Sequence, residues 1–192
     1  MRASQVLLLP GWQGSDAAHW QSLWALAHGY QRVEQHDWRL ALRGDWIARL
    51  EEVLLSIDTE HDGPAVLVAH GLGCQLVAAW AAHSRQTHRV KAALLVAPMD
   101  VAQEALQAVL PSWSGAALRA LPFRSVLLAS RDDPRCTFER ARQYAGHWAC
   151  DCVDAGEGAH LARPGSLGGP DTWPEGQRHL AELMAYQPTV SV

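Results

Sequence analysis

Val66-Leu67-Val68-Ala69-His70-Gly71-Leu72-Gly73-Cys74 decides how the rest of this chain is read. Its first residues form a short apolar run, the signature of a strand buried on both faces. Gly71 and Gly73 permit a sharp turn, and Leu76 to Ala82, apolar nearly all round, predicts a helix covered on every side. A strand that bends abruptly into a helix forms an elbow, whose central residue takes a strained backbone and projects its side chain over the sheet. Position 71, where such an elbow presents a nucleophilic serine, is glycine. Glycine relieves a local strain of about 1–3 kcal/mol and removes the attacking oxygen. Taken alone, the stretch is equally an ordinary tight strand–helix connection, so the remainder of the chain must decide.

A length of 192 residues with 48% hydrophobic content predicts one soluble globular domain spanning residues 1–192. The net charge of -4, with both signs scattered, lacks the clustered basic face that a phosphate backbone requires, so no nucleic acid partner is expected. Val6 to Leu9 is too short for a membrane span or a signal-peptide core and ends at Pro10-Gly11, which predicts a cytoplasmic protein with no membrane contact. Cys74, Cys136, Cys150 and Cys152 fall at no regular spacing and are read as reduced thiols.

Short apolar runs at Val6–Leu9, Ala65–Ala69, Ala92–Ala97 and Val126–Ala129 read as buried parallel strands. Between them Trp46, Ile47, Leu50, Val53, Leu54 and Ile57 recur at helical spacing, with Asp45 as the expected cap. Strand–helix alternation predicts an α/β fold with a doubly wound, mainly parallel sheet. Arg163 to Pro174, rich in glycine and proline, is expected to form an irregular loop near the site.

Ligands of such sheets bind at the carboxyl ends of the strands, so the residues after each run carry the functional reading. Pro10-Gly11-Trp12-Gln13-Gly14-Ser15 follows the first run and aims the Trp12 amide at the space above Gly71; the Leu72 amide supplies a second oxyanion donor. Ser130-Arg131-Asp132-Asp133-Pro134 places a carboxylate after the run at Val126, and Asp133 is chosen over Asp132. After Asp151-Cys152-Val153-Asp154 comes a loop ending in His160, the expected acid–base residue. Nucleophile position, aspartate and histidine then follow in the chain order of the α/β-hydrolase fold. Gln13 and His70, beside the oxyanion residue and the nucleophile position, are the candidate substrate-binding side chains.

The chain resembles the small serine hydrolases related to retinoblastoma-binding protein nine and its bacterial relatives. Leu9-Pro10-Gly11-Trp12-Gln13-Gly14-Ser15 with His19-Trp20, the elbow from Ala69 to Cys74, Asp132-Asp133-Pro134 and Gly158-Ala159-His160 carry the resemblance along nearly its whole length. It implies a minimal α/β-hydrolase with little or no lid, acting through a serine, aspartate and histidine triad on carboxylic esters or related acyl compounds. Asp133 and His160 match that pattern, whereas Gly71 departs from it.

No other residue replaces the serine. Cys74 points most of a turn away from the elbow, Ser15 is read as a turn or cap residue, and Ser166 follows the histidine with no strand before it. His147, Cys150, Cys152 and His160 are zinc ligands by type but not by spacing, so neither metal nor cofactor is expected. Of nine tryptophans, most are expected to be structural, with Trp12 at the site. A small-molecule acyl substrate or ligand is the partner anticipated. Three readings follow: a serine esterase whose nucleophile has become glycine, a pseudo-hydrolase that binds a ligand or a protein, and a hydrolase that uses water or another group.

Overall fold

Six strands, β1 Val6–Leu9, β2 Gln31–Arg32, β3 Ala65–His70, β4 Val90–Val96, β5 Arg124–Ala129 and β6 Asp151–Asp154, form one sheet in the order β2-β1-β3-β4-β5-β6. Every neighbouring pair is parallel. The structure is a computed structural model that describes residues 6–163 and 172–187. Six helices accompany the strands: α1 Trp20–His28, α2 Arg43–Ser56, α3 Leu72–His83, α4 Glu104–Val109, α5 Phe138–Trp148 and α6 Pro174–Ala185.

Because strand side chains alternate, the four central strands feed two cores. Leu7, Leu67, Leu95 and Leu127 face Trp46 and Leu50 of α2, Leu76 and Trp80 of α3, and Tyr144 and Trp148 of α5. Leu8, Val68, Leu94 and Leu128 face Trp20 and Trp24 of α1 and Leu180 and Leu183 of α6. Each such fully buried side chain contributes about 1.5–3 kcal/mol of transfer free energy, so the sheet is doubly wound by necessity. The four apolar runs are those central strands. The edge strands have no such signature: β2 is only Gln31-Arg32, and most of β6 is exposed.

The predicted helix at Leu76–Ala82 is longer, since α3 starts at the elbow itself and buries every residue from Leu72 to Trp80. Asp45 is not the cap of α2. That helix begins at Arg43, whose amide is taken by Ser112 Oγ at 3.2 Å from a distant loop, while Asp45 lies in the first turn. A carboxylate there still favours the positive end of the helix, so Asp45 stabilises the first turn without capping it. Most of the expected loop from Arg163 to Pro174, including Ser166, lies outside the described residues; Trp173 is buried against the α1–α6 core.

From β1 the chain steps outward to β2, returns across β1 through α2 to β3, and then proceeds strand by strand to β6. Strand order therefore reverses between β1 and β3, which opens a crevice at their carboxyl ends. Gln21, fully buried on α1, spans it, donating from Nε2 to the carbonyls of Leu9 (3.3 Å) and Val68 (3.0 Å). Among the described residues no helix is long and apolar enough to cross a membrane.

Candidate active site

Gly71 sits at φ +56°, ψ -118°, a region that residues with a Cβ enter only under strain. Its amide donates to the Val96 carbonyl (3.0 Å), and its own carbonyl accepts from Cys74 and Met99. The elbow is thus pinned to the end of β4. A Cβ at this position would lie 3.1 Å from His160 Nε2 and 3.7 Å from Cε1. Whatever side chain stands at position 71 therefore points into the imidazole.

On the other side of that ring, His160 Nδ1 donates to Asp133 Oδ2 at 2.9 Å, with Oδ1 at 3.1 Å. A carboxylate only accepts, so Nδ1 carries a proton and the other ring nitrogen, Nε2, faces Gly71. Asp133 is buried after β5, and its Oδ1 also accepts the Arg135 amide at 2.8 Å.

The neighbouring Asp132 has a separate task that the sequence did not disclose. Its Oδ1 accepts the amides of Gly158 (2.9 Å) and Ala159 (2.8 Å), which hold its carboxyl below the usual range. The Ser130 hydroxyl lies within reach of both Asp132 and the Ala159 carbonyl. Ala159 and Leu161, which bracket His160, both have left-handed backbones. Such strain persists only where the surroundings over-determine it, and here these bonds do so.

The loop after β1 closes as a tight turn, with the Gly14 amide donating to the Gly11 carbonyl at 3.0 Å. Gly11 packs against the elbow so closely that a Cβ would meet the His70 carbonyl at 2.9 Å and the Leu72 nitrogen at 3.2 Å. Among the described residues, neither the Trp12 nor the Leu72 amide has an acceptor. Trp12 Nε1 and the Gln13 amide tie the loop to Arg39 and Trp38. Trp12, Gly71, His70 and His160 line a cavity of about 190 Å³, whereas Gln13 is exposed and does not. A larger cavity of about 440 Å³ between the end of α1 and α6 contains none of these residues.

His70 is occupied by the protein itself. Its Nε2 donates to the His160 carbonyl at 2.8 Å, and its ring stands edge-on to both His160 and His19, each with centroids 4.7 Å away. Burial, then the neighbouring His160 and His19, drive its pKa well down, so it remains neutral. His19 caps α1 by accepting the Gln21 amide at Nδ1 (3.1 Å), and burial lowers its pKa from 6.5 to about 4.

Between pH 6.5 and 4 the unfolded chain therefore binds protons that folded His19 and His70 refuse, and stability falls as pH drops through that window. His19 alone contributes on the order of 3 kcal/mol at most. Melting temperature measured from pH 7 to pH 4.5 should decline. In His19→Asn, which retains a capping oxygen, the decline should be shallower; an unchanged slope would contradict the assignment.

Cys74 is buried, with Sγ directed at the Val96 (3.4 Å) and Ala69 carbonyls, and burial pushes its thiol far above the normal range. It offers no thiolate to the site. Ser15 Oγ donates to Gln21 Oε1 at 3.1 Å. Cys150 packs against the core, and Cys152 is exposed on the edge strand. Among the described residues, no three His, Cys, Asp or Glu side chains are grouped to hold a metal ion. Seven of the nine tryptophans are buried, while Trp12 and Trp38 are partly exposed.

A parallel sheet with an elbow after β3, an aspartate after β5 and a histidine after β6 defines the α/β-hydrolase class. The sequence profile of the serine hydrolase family matches residues 6–182, and the chain belongs to that family. No curated protein matches it. Among solved structures, it is similar to a protein described as a YdeN-like hydrolase from Pectobacterium atrosepticum, with 26% identity, a TM-score of 0.77, and coverage of 93% of this chain and 89% of that one. The ydeN gene product of B. subtilis has 19% identity and a TM-score of 0.72, covering 95% and 100%. Est1E from Butyrivibrio proteoclasticus, solved with ferulic acid, has 11% identity and a TM-score of 0.73, covering 96% and 91%. The latter two likenesses concern the fold alone.

Proposed function

We propose that this protein is a carboxylic-ester or related acyl hydrolase of the serine type, akin to the small hydrolases related to retinoblastoma-binding protein nine, with Gly71 in the serine's place. As it stands, it binds acyl esters or carboxylates and turns them over very slowly or not at all. The observation that carries this reading is the 3.1 Å approach of a Cβ at position 71 to His160 Nε2, with Asp133 on the opposite ring nitrogen.

In this mechanism His160 is the base and Asp133 holds its tautomer and stabilises the imidazolium. The Trp12 and Leu72 amides receive the oxyanion. Without a serine hydroxyl no acyl-enzyme forms, and only a water beside His160 remains as attacking group. The reading extends to a small-molecule acyl partner, one domain and a cytoplasmic setting.

A second reading, a pseudo-hydrolase that binds without turnover, draws on the backbone of Gly71, which glycine adopts at no steric cost. Hydrolysis of a short-chain aryl ester by the chain and by Gly71→Ser, with His160→Ala added to each, separates the two. Activity that appears with serine and disappears with His160→Ala supports the hydrolase; silence throughout supports the binding module.

A further inference from the structure

Two side-chain donors that line the cavity beside Gly71 have no acceptor among the described residues. Of its described lining residues only Asp16 carries a carboxylate, and that is spoken for: Asp16 Oδ2 accepts Arg163 Nη2 at 2.6 Å and Oδ1 accepts the Ala18 amide at 2.9 Å. Arg135 lines the same cavity, and among the described residues its guanidinium has no acceptor. The Arg135 backbone, by contrast, is held at three points. Its amide donates to Asp133 Oδ1 at 2.8 Å, and its carbonyl accepts the Asp100 amide at 3.0 Å and Gln103 Nε2 at 3.1 Å. The backbone that carries this cation is therefore anchored two residues from Asp133, which holds His160 Nδ1.

A second unsatisfied donor lies deeper. His19 lines the cavity and is 6% exposed, and its Nε2 has no partner among the described residues. Since Nδ1 accepts the Gln21 amide, the proton of the neutral ring sits on Nε2. Buried donors without acceptors are uncommon, and in a ligand cavity their ordinary complement is an acceptor on the ligand. The volume, about 190 Å³, is below the usual range for drug-sized ligands and suits a short acyl part.

Building on the acyl-binding reading, we infer that the cavity selects short acyl compounds bearing a second, anionic group, a carboxylate held by the Arg135 guanidinium while the ester carbonyl faces the Trp12 and Leu72 amides. A guanidinium suits this task because it pairs with carboxylates through charge-assisted bonds in a fixed planar geometry.

Binding to the chain as it stands, measured by calorimetry, tests this without any need for turnover. Monomethyl succinate and methyl pentanoate are comparable in length and differ in the terminal carboxylate. The expected result is about five- to tenfold tighter binding of monomethyl succinate, a preference that weakens as salt rises and collapses in Arg135→Ala. Equal affinities, a preference for the neutral ester, no binding of either, or a preference that survives Arg135→Ala would overturn it. Aryl acetate hydrolysis by Gly71→Ser reports on the esterase reading separately, so efficient hydrolysis with no anionic preference leaves that reading standing and removes this one.

Discussion

Gly71→Ser is expected to raise hydrolysis of a short-chain aryl ester by on the order of 10³-fold or more and, at the same time, to make the protein less stable. The gain follows from the direction of the Cβ: an oxygen one bond beyond it falls within reach of His160 Nε2, whose lone pair Asp133 keeps turned toward it. The loss has two sources. A residue with a Cβ must adopt φ +56°, ψ -118°, and the 3.1 Å approach forces the imidazole back by a few tenths of an ångström. Together these cost about 2 kcal/mol, or roughly 4–8 °C in melting temperature for a chain of this size. Gly71→Ala isolates the two effects, since it carries the same strain without the hydroxyl and should lose stability with no gain in rate. Equal inactivity of the serine and alanine forms, with both folded, would remove the hydrolase reading.

Gly73→Ala should be the most destabilising single methyl addition among the glycines of the elbow, at about 3 kcal/mol or more. A Cβ there would lie 2.4 Å from the Leu9 carbonyl oxygen and 3.3 Å from that of Pro10. Both obstacles are backbone, and neither can rotate away. The start of α3 would have to move off the end of β1, separating the Leu72 amide from the Trp12 loop. Thermal denaturation checks this, with Gly146→Ala as the comparison. Gly146 lies within α5, where a Cβ meets nothing within 4 Å, so that change should be neutral or stabilising by up to about 1 kcal/mol. Similar melting temperatures for the two variants would show that the elbow does not require glycine at position 73.

These two glycines do different work in one turn. Gly73 lets the helix approach the neighbouring strand, a packing demand that serine or alanine cannot meet. Gly71 satisfies a backbone demand that other side chains meet under strain. On the proposed reading, glycine at position 71 leaves its surroundings intact: the His160–Asp133 pair, the loop after β1 and the cavity all adjoin the elbow.

What the sequence by itself determined is the part governed by local pattern. Four runs of apolar residues named the central strands because a strand covered on both faces admits no polar position, and the residues following those runs had to lie at one edge of the sheet. The placing of Asp133 and His160 at the same sheet edge as Gly71 was legible for that reason. Tertiary structure alone decided what depends on residues far apart in the chain. It gave Asp132 to the loop that carries His160, bound His70 to the His160 carbonyl, replaced the expected Asp45 cap with Ser112, and left Gln13 outside the cavity that Trp12 lines. It also set Arg135 beside that cavity with no acid paired to its guanidinium among the described residues. Each of these depends on segments that meet only once the sheet has formed, and no periodicity in a sequence records which polar group finds which partner.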